Sequence, residues 1–266
     1  MATCARCGGE VQEGDAFCRN CGATAGAATA TQTGAIVEDA VWPDGSPALD
    51  PYDPLDGRSR WARVLLAATA ATGLITIPLH LARADAIETY LATGDPSDIE
   101  QSDDLFAALA LPSAVVSIAT IVLFLLWFSR AYRNLPALGI RRLRFTPGWA
   151  VGAWFVPFLN FWRPKSIAND IWRGSDPELP PGPTTEWRDG KVSGVVHWWW
   201  GVYLASLIRF TSAFDDIDVI NQQDADASRR EAFYSLLTVV AAVLAIRVVG
   251  RLTERLRERA ERAGAA

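Results

Sequence analysis

The chain has 266 residues, half of them hydrophobic, with a mean hydropathy of +0.12 and a formal charge of −5. That balance excludes a disordered or fibrous chain and a basic nucleic-acid-binding domain, and the gathering of apolar residues into long runs places the chain in the membrane class. The net charge is a poor guide in itself, because its sign changes from segment to segment.

The chain opens on its only four cysteines, Cys4, Cys7, Cys18 and Cys21, as two C-x-x-C pairs each followed by glycine (Gly8 and Gly22). Glycine lets the backbone fold back after the second sulfur, and two such knuckles present the four thiolates that tetrahedral Zn2+ takes. A segment of this size has no core of its own. The metal must therefore contribute its folding free energy, on the order of 10 kcal/mol for a structural zinc. Two disulfides or a redox dithiol are the alternatives. A closed four-cysteine set is structural, since catalytic zinc keeps an open position. The stretch CARCGGEVQEGDAFCRNCGA resembles the short zinc-ribbon heads at the N-termini of many bacterial membrane and regulatory proteins, which implies a binding or structural module over residues 1–23.

Residues 24–58 are rich in Ala, Gly, Thr, Pro and Asp, with Pro43, Pro47, Pro51 and Pro54 opposing helix. They read as a flexible linker. The membrane domain is expected over 59–254, followed by a basic tail at 255–266. Without a leader ahead of the cysteines, the first apolar helix is expected to direct insertion.

Four apolar runs have spanning length, at about 64–81, 105–128, 192–214 and 233–249. A fifth, 147–162, carries Pro157 and reaches only about 24 Å against a hydrocarbon core of about 30 Å. Arg130, Arg133, Arg141, Arg142 and Arg144 stand in one short segment without an acid, which marks it as cytoplasmic, as do Arg251, Arg255, Arg257, Arg259 and Arg262 near the end. The segments holding Asp85, Glu88, Asp95, Asp98, Glu100, Asp103 and Asp104, and Asp215, Asp216, Asp218, Asp224 and Asp226, lack a basic excess. An even number of crossings satisfies these assignments. The expectation is an all-α plasma-membrane protein with four spans, a re-entrant or interfacial hairpin at 147–162, and both termini cytoplasmic. Trp61, Trp127 and Trp198 to Trp200 would then form an interfacial belt, and Ala67, Ala71, Ala241 and Ala245 would let helices approach.

Tyr132 to Trp172 joins arginines, prolines and tryptophans in one stretch. After Pro164, Ile167, Ala168, Ile171 and Trp172 recur at helical spacing beside basic residues, the pattern of an amphipathic helix in the headgroup plane. Asn160, Arg163, Lys165, Asn169, Asp170 and Arg173 are the candidate polar or lipid-headgroup cluster. The run RAYRNLPALGIRRLRFTPGWAVGAWFVPFLNFWRPKSIANDIW resembles the bacterial membrane family called domain of unknown function 4328, over roughly residues 60–255. That resemblance implies a multi-pass membrane protein and brings no catalytic residues. His80 and His197 stand near span ends and read as interfacial.

No phosphate loop, nucleotide fingerprint, serine elbow or H-E-x-x-H motif is present, so an enzyme is not expected. Arg6 and Arg19 are balanced by Glu10, Glu13 and Asp15, which argues against nucleic acid as a partner of the ribbon. The reading is a regulatory or scaffolding protein in the lipid bilayer, whose zinc ribbon meets a cytoplasmic protein. The alternative is a small transporter, channel or lipid-handling protein that works through residues 132–172.

Overall fold

The computed structural model describes residues 2–3, 10–11, 51–180, 184–207 and 220–265. Two short strands, β1 (Ala2–Thr3) and β2 (Glu10–Val11), pair antiparallel in the register Ala2 with Val11 and Thr3 with Glu10. Otherwise the described residues are helical or irregular, in α1 (Asp56–Thr93), α2 (Ser97–Arg133), α3 (Trp149–Gly152), α4 (Arg163–Gly174), α5 (Gly194–Leu207) and α6 (Gln222–Arg262). The four cysteines and linker residues 24–50 lie outside the described residues.

The chain divides into two compact units. One, here the bundle unit, holds residues 55–128 and 192–254. The other, the hairpin unit, holds the described residues up to 54 together with 129–191 and 255 onward.

In the bundle unit, α1, α2 and α6 are long and apolar enough to cross a membrane. With 38 residues α1 is about 57 Å long, well beyond a hydrocarbon core of about 30 Å, so its ends extend past the apolar run that marks it in the sequence. The acidic segment after the first span is accordingly not a loop. Asp85 and Glu88 lie on the last turns of α1, Asp98 to Asp104 on the first turns of α2, and only residues 94–96 connect them. Gly94 makes that reversal in the left-handed region (φ 78°), with its amide donating to the Tyr90 carbonyl at 2.7 Å.

The helix ends are matched by specific bonds. At one end Glu88 of α1 accepts from Arg229 (2.6 Å) and Gln222 (3.2 Å) of α6, and Arg83 pairs with Asp103. At the other the Trp127 indole of α2 donates to Thr253 Oγ1 of α6 at 3.0 Å, and Trp199 of α5 packs on Phe124 of α2 with ring centroids 6.1 Å apart. Thus α1 runs antiparallel to α2 and α6, and α5 starts at the end where α2 and α6 finish.

Between these ends, small and hydroxylated residues set the spacing. A Cβ added to Gly73 would stand 2.7 Å from Val239 Cγ2, so α1 meets α6 at a distance that only glycine allows. Thr69 and Thr120 share a hydroxyl hydrogen bond of 2.9 Å between α1 and α2.

Three expectations change here. Among the described residues three helices, not four, have spanning length. The third predicted span is represented by α5, of 14 residues, and 208–214 lie outside the described residues. On α1 the buried small residues of the predicted span are Ala70 and Gly73, with Ala62 just before it, while Ala67 and Ala71 are exposed; Ala241 and Ala245 are buried on α6 as expected. Of the proposed tryptophan belt, Trp127, Trp199 and Trp200 are internal and only Trp61 and Trp198 face outward. A tryptophan near a span end finds its indole partner through tertiary packing, which spacing along the chain does not reveal.

The hairpin unit is built on little regular structure. Tyr132, Leu135, Leu138, Ile140, Ile167, Ile171 and Trp187 are fully buried in it. Gly174 of α4 comes so close to the Leu135–Ile140 turn that a Cβ there would lie 2.9 Å from Leu135 Cδ2. Apart from a parallel bridge between Ile140 and Thr184, side chains replace a backbone ladder. Asn134 accepts from the Asp53 amide (3.3 Å) and donates to its carbonyl (2.8 Å), Trp187 donates to the Arg141 carbonyl (3.0 Å), and Arg130 pairs with Asp53 at 2.9 Å.

Residues 255–262, expected as a tail, are the last turns of α6. Arg259, almost fully buried, donates through Nη1 to the carbonyls of Asp176 (2.9 Å) and Leu179 (3.3 Å), and through Nη2 to that of Leu138 (3.0 Å). Arg262 reaches the Pro177 carbonyl at 2.8 Å, and the Arg255 guanidinium lies 4.6 Å from the Trp172 ring centroid.

A lysine carries the same charge on a single point and cannot fork among three carbonyls. Arg259→Lys is therefore expected to cost about 2–3 kcal/mol, seen as a lower thermal midpoint in detergent, whereas Arg257→Lys at an exposed position should leave the midpoint unchanged.

Candidate functional site

The stretch from Tyr132 to Trp172 lies wholly within the hairpin unit. Its first anchor is the Tyr132 hydroxyl, which donates to the Phe145 carbonyl (3.1 Å) and accepts from the Phe145 amide (3.2 Å), pinning the irregular chain to the end of α2. From there the chain makes the single turn of α3, reaches a 3-10 turn at Leu159–Phe161 and enters α4 at Arg163, where Pro164 suits the first helical turn.

The apolar stripe of α4 is present as predicted, but its partner differs. Ile167, Ala168, Ile171 and Trp172 are buried inside the protein, so α4 does not lay an apolar face on lipid. Periodicity identifies an apolar face and leaves open what covers it.

The six candidate polar residues do not converge. Lys165 donates to Asn169 Oδ1 at 2.6 Å on one face of α4. Arg173 donates from Nε to the Gly190 carbonyl at 2.8 Å, tying α4 to the 3-10 turn Glu186–Asp189. The Arg163 guanidinium lies over the rings of Trp149 (4.2 Å) and Phe145 (5.0 Å). The Asn160 Oδ1 atom is buried without a hydrogen-bond partner.

Asp170 is fully buried on another face of α4, and neither of its oxygens accepts a hydrogen bond. Its nearest cation is Arg144, with Nε 3.4 Å from Oδ1. Burial pushes the Asp170 carboxyl up to about 6, against the opposing pull of Arg144, Arg173 and Arg188. Burial, with the nearby Arg173 charge, brings Lys165 down to about 8. The arrangement can hold or release a proton at Asp170 near neutral pH. Among the described residues no group of three His, Cys, Asp or Glu side chains is placed to hold a metal ion.

Sequence reasoning passed over Arg144 as the partner of Asp170, and Arg255 and Arg259 as donors to carbonyls. The second omission had an available signal, because positions 255, 259 and 262 share one helix face. The first had none, since the two residues are 26 positions apart with no single helix or strand joining them.

The bundle unit defines the class of protein. On α2, Leu111, Val115, Ile118 and Val122 form an exposed apolar stripe, Leu111 being 74% exposed, and Leu74 and Ile75 do the same on α1. Three helices of spanning length whose outer faces are apolar belong to an integral membrane protein. The chain belongs to the family described as Domain of unknown function (DUF4328), whose model matches residues 91–254, well over half of the sequence. The match begins at the end of α1, later than the resemblance implied. No match was found among curated proteins or among solved structures.

For a carboxyl whose folded pKa is raised from about 3.9 to about 6, the native state holds the proton more tightly, so its contribution to stability is greatest at low pH and declines as pH rises toward and through 6. Asp170→Asn removes this term. Relative to wild type, the variant should gain about 1.4 kcal/mol between pH 5 and pH 8, measured as the difference in thermal midpoints at the two pH values.

Proposed function

We propose that this chain is a four-span regulatory or scaffolding protein of the plasma membrane, whose Cys4, Cys7, Cys18 and Cys21 fold a cytoplasmic recognition head around one structural zinc ion. The observation that carries the head is the pairing of β1 with β2. It brings the residues on either side of Cys4 and Cys7 together, the chain reversal that a zinc knuckle requires. A cytoplasmic location keeps thiols reduced and available to the metal. The ribbon is the natural contact for a protein partner, because the described residues supply no converging set of catalytic groups.

Four crossings are supported by the helix-end contacts of the bundle unit. Trp199 stands beside Phe124 at the end where α2 finishes, and the chain is next held by Gln222 and Arg229 beside Glu88 at the opposite end. Trp199 and Gln222 thus stand at opposite ends of the bundle, which supports a further crossing between them. The alternative, a transporter, channel or lipid-handling protein working through the hairpin unit, draws support from the buried, partly neutralised Asp170.

Two measurements test the reading. Intact protein purified from membranes should carry one zinc per chain and capture a specific cytoplasmic partner by crosslinking, both lost in Cys4→Ser. Retention of the same partners by that variant would refute the recognition role. For topology, a reporter fused after Ala266 should register inside and an accessibility probe at position 218 outside. The reverse pair overturns the crossing at 199–222 or the orientation, and two results on the same side overturn the crossing of α6.

A further inference from the structure

Within the hairpin unit, one segment has two contrasting sides. Ala150 and Ala153 are fully buried, whereas just beyond them Phe155, Phe158, Phe161 and Trp162 are 67%, 77%, 53% and 53% exposed, with Val156 and Pro157 also facing out. Four large aromatic rings within eight residues thus lie uncovered on a protein that otherwise buries Tyr132, Trp172 and Trp187 in the same unit. Isolated exposed apolar residues are ordinary; a contiguous aromatic group of this kind marks a contact surface.

The backbone of the segment suits a medium poor in water. The Phe155 amide donates to the Gly152 carbonyl, Asn160 to Val156, Phe161 to Phe158 and Trp162 to Leu159, and Pro157 has no amide to satisfy. The turn is therefore compact and carries much of its own hydrogen bonding.

Charge then selects the occupant. From Arg130 to Asn169 the chain has six arginines and one lysine and no carboxylate, and the first acid after them, Asp170, is fully buried. Arg163 follows the aromatic turn directly, held over Trp149 and Phe145, with Lys165 two positions beyond. A second copy of this surface would bring like charges together. An anionic lipid leaflet meets both features, since aromatic rings settle at the headgroup level and basic residues attract anionic headgroups. The leaflet is close along the chain: Leu126, an outward-facing residue of α2, lies one helical turn before Ser129, where the hairpin unit begins.

We propose that the turn Phe155–Trp162 is a wedge that inserts its aromatic rings into the headgroup and upper acyl region of an anionic leaflet, with Arg163 and Lys165 meeting the lipid headgroups. This rests on the membrane character of the chain and is independent of the zinc head. It also transfers the lipid contact from α4, whose apolar face is internal, to the turn before it.

The test uses the full chain in nanodiscs of phosphatidylcholine, with or without phosphatidylglycerol, carrying lipids brominated near the top of the acyl chain. An environment-sensitive fluorescent amino acid is placed singly at position 158, at outward-facing position 118 of α2 as a lipid reference, or at exposed position 178 as an aqueous reference. The expected result is loss of emission at 158 and 118 but not at 178, with the loss at 158 deepened by phosphatidylglycerol and that deepening removed by Arg163→Glu with Lys165→Glu. Quenching at 118 without quenching at 158 would overturn the wedge while leaving the membrane reading intact; no quenching at either would overturn both. Quenching at 158 that ignores phosphatidylglycerol would overturn the headgroup role of the two cations. Should the double-charge variant fail to fold, Phe155→Asp with Phe158→Asp, both at exposed positions, supplies the second arm. A probe at 162 in that variant should lose its lipid quenching and become accessible to aqueous iodide, and unchanged lipid quenching there would also refute the wedge.

Discussion

The carbonyls of Leu138, Asp176 and Leu179 lie at a 3-10 helix end and in a turn, where among the described residues only that of Asp176 also meets a backbone amide (Leu179, 3.3 Å), and a single buried guanidinium, that of Arg259, donates to all three. The rest of the hairpin unit follows from this constraint. A buried carbonyl without a donor costs on the order of 1–3 kcal/mol, so a unit made largely of turns requires side chains to do what backbone pairing does elsewhere. Arg259 is joined in this by Arg262, Arg173, Asn134 and Trp187, each bonded to the backbone of a distant segment. Their positions allow the chain between Tyr132 and Trp162 to stay irregular, and that irregularity is what leaves the aromatic turn uncovered.

Arginine thus has two physical roles in one protein. Where the guanidinium is buried among carbonyls, as at residue 259, its forked donors hold a fold; where it lies over aromatic rings, as at residue 163, its charge remains available to a ligand. Asp170 belongs to neither pattern. It is an acid enclosed beside Arg144 without hydrogen bonds, and its partial neutralisation is the expected response of a carboxylate to burial that one neighbouring cation incompletely offsets.

Much of the membrane body was legible in the sequence, because span length and apolar composition are local properties. Helix α4, with its start at Pro164 and its stripe through Ile167 and Ile171, could also be read directly. What covers each face could not. Ala67 and Ala71 satisfy the spacing rule for close helix approach as well as Ala62, Ala70 and Gly73 do, and only Val239, far along the chain, distinguishes the two registers. Trp127 has the position of an interfacial anchor and the partner of a core residue, Thr253. The polar cluster suffered the same limitation. Asp170 was recognised as significant and grouped with its sequence neighbours, while the cation nearest to it arrives through a turn that has no periodic signature.

Arg255, Arg259 and Arg262 secure segments that precede them by about 80 to 120 positions, so the hairpin unit closes only after the helices between have been made. Its acceptor carbonyls are made early and must wait, hydrated, while the intervening helices are inserted. Completion therefore waits for the last turns of α6, and a chain cut short before residue 255 would leave those acceptors without their arginine donors.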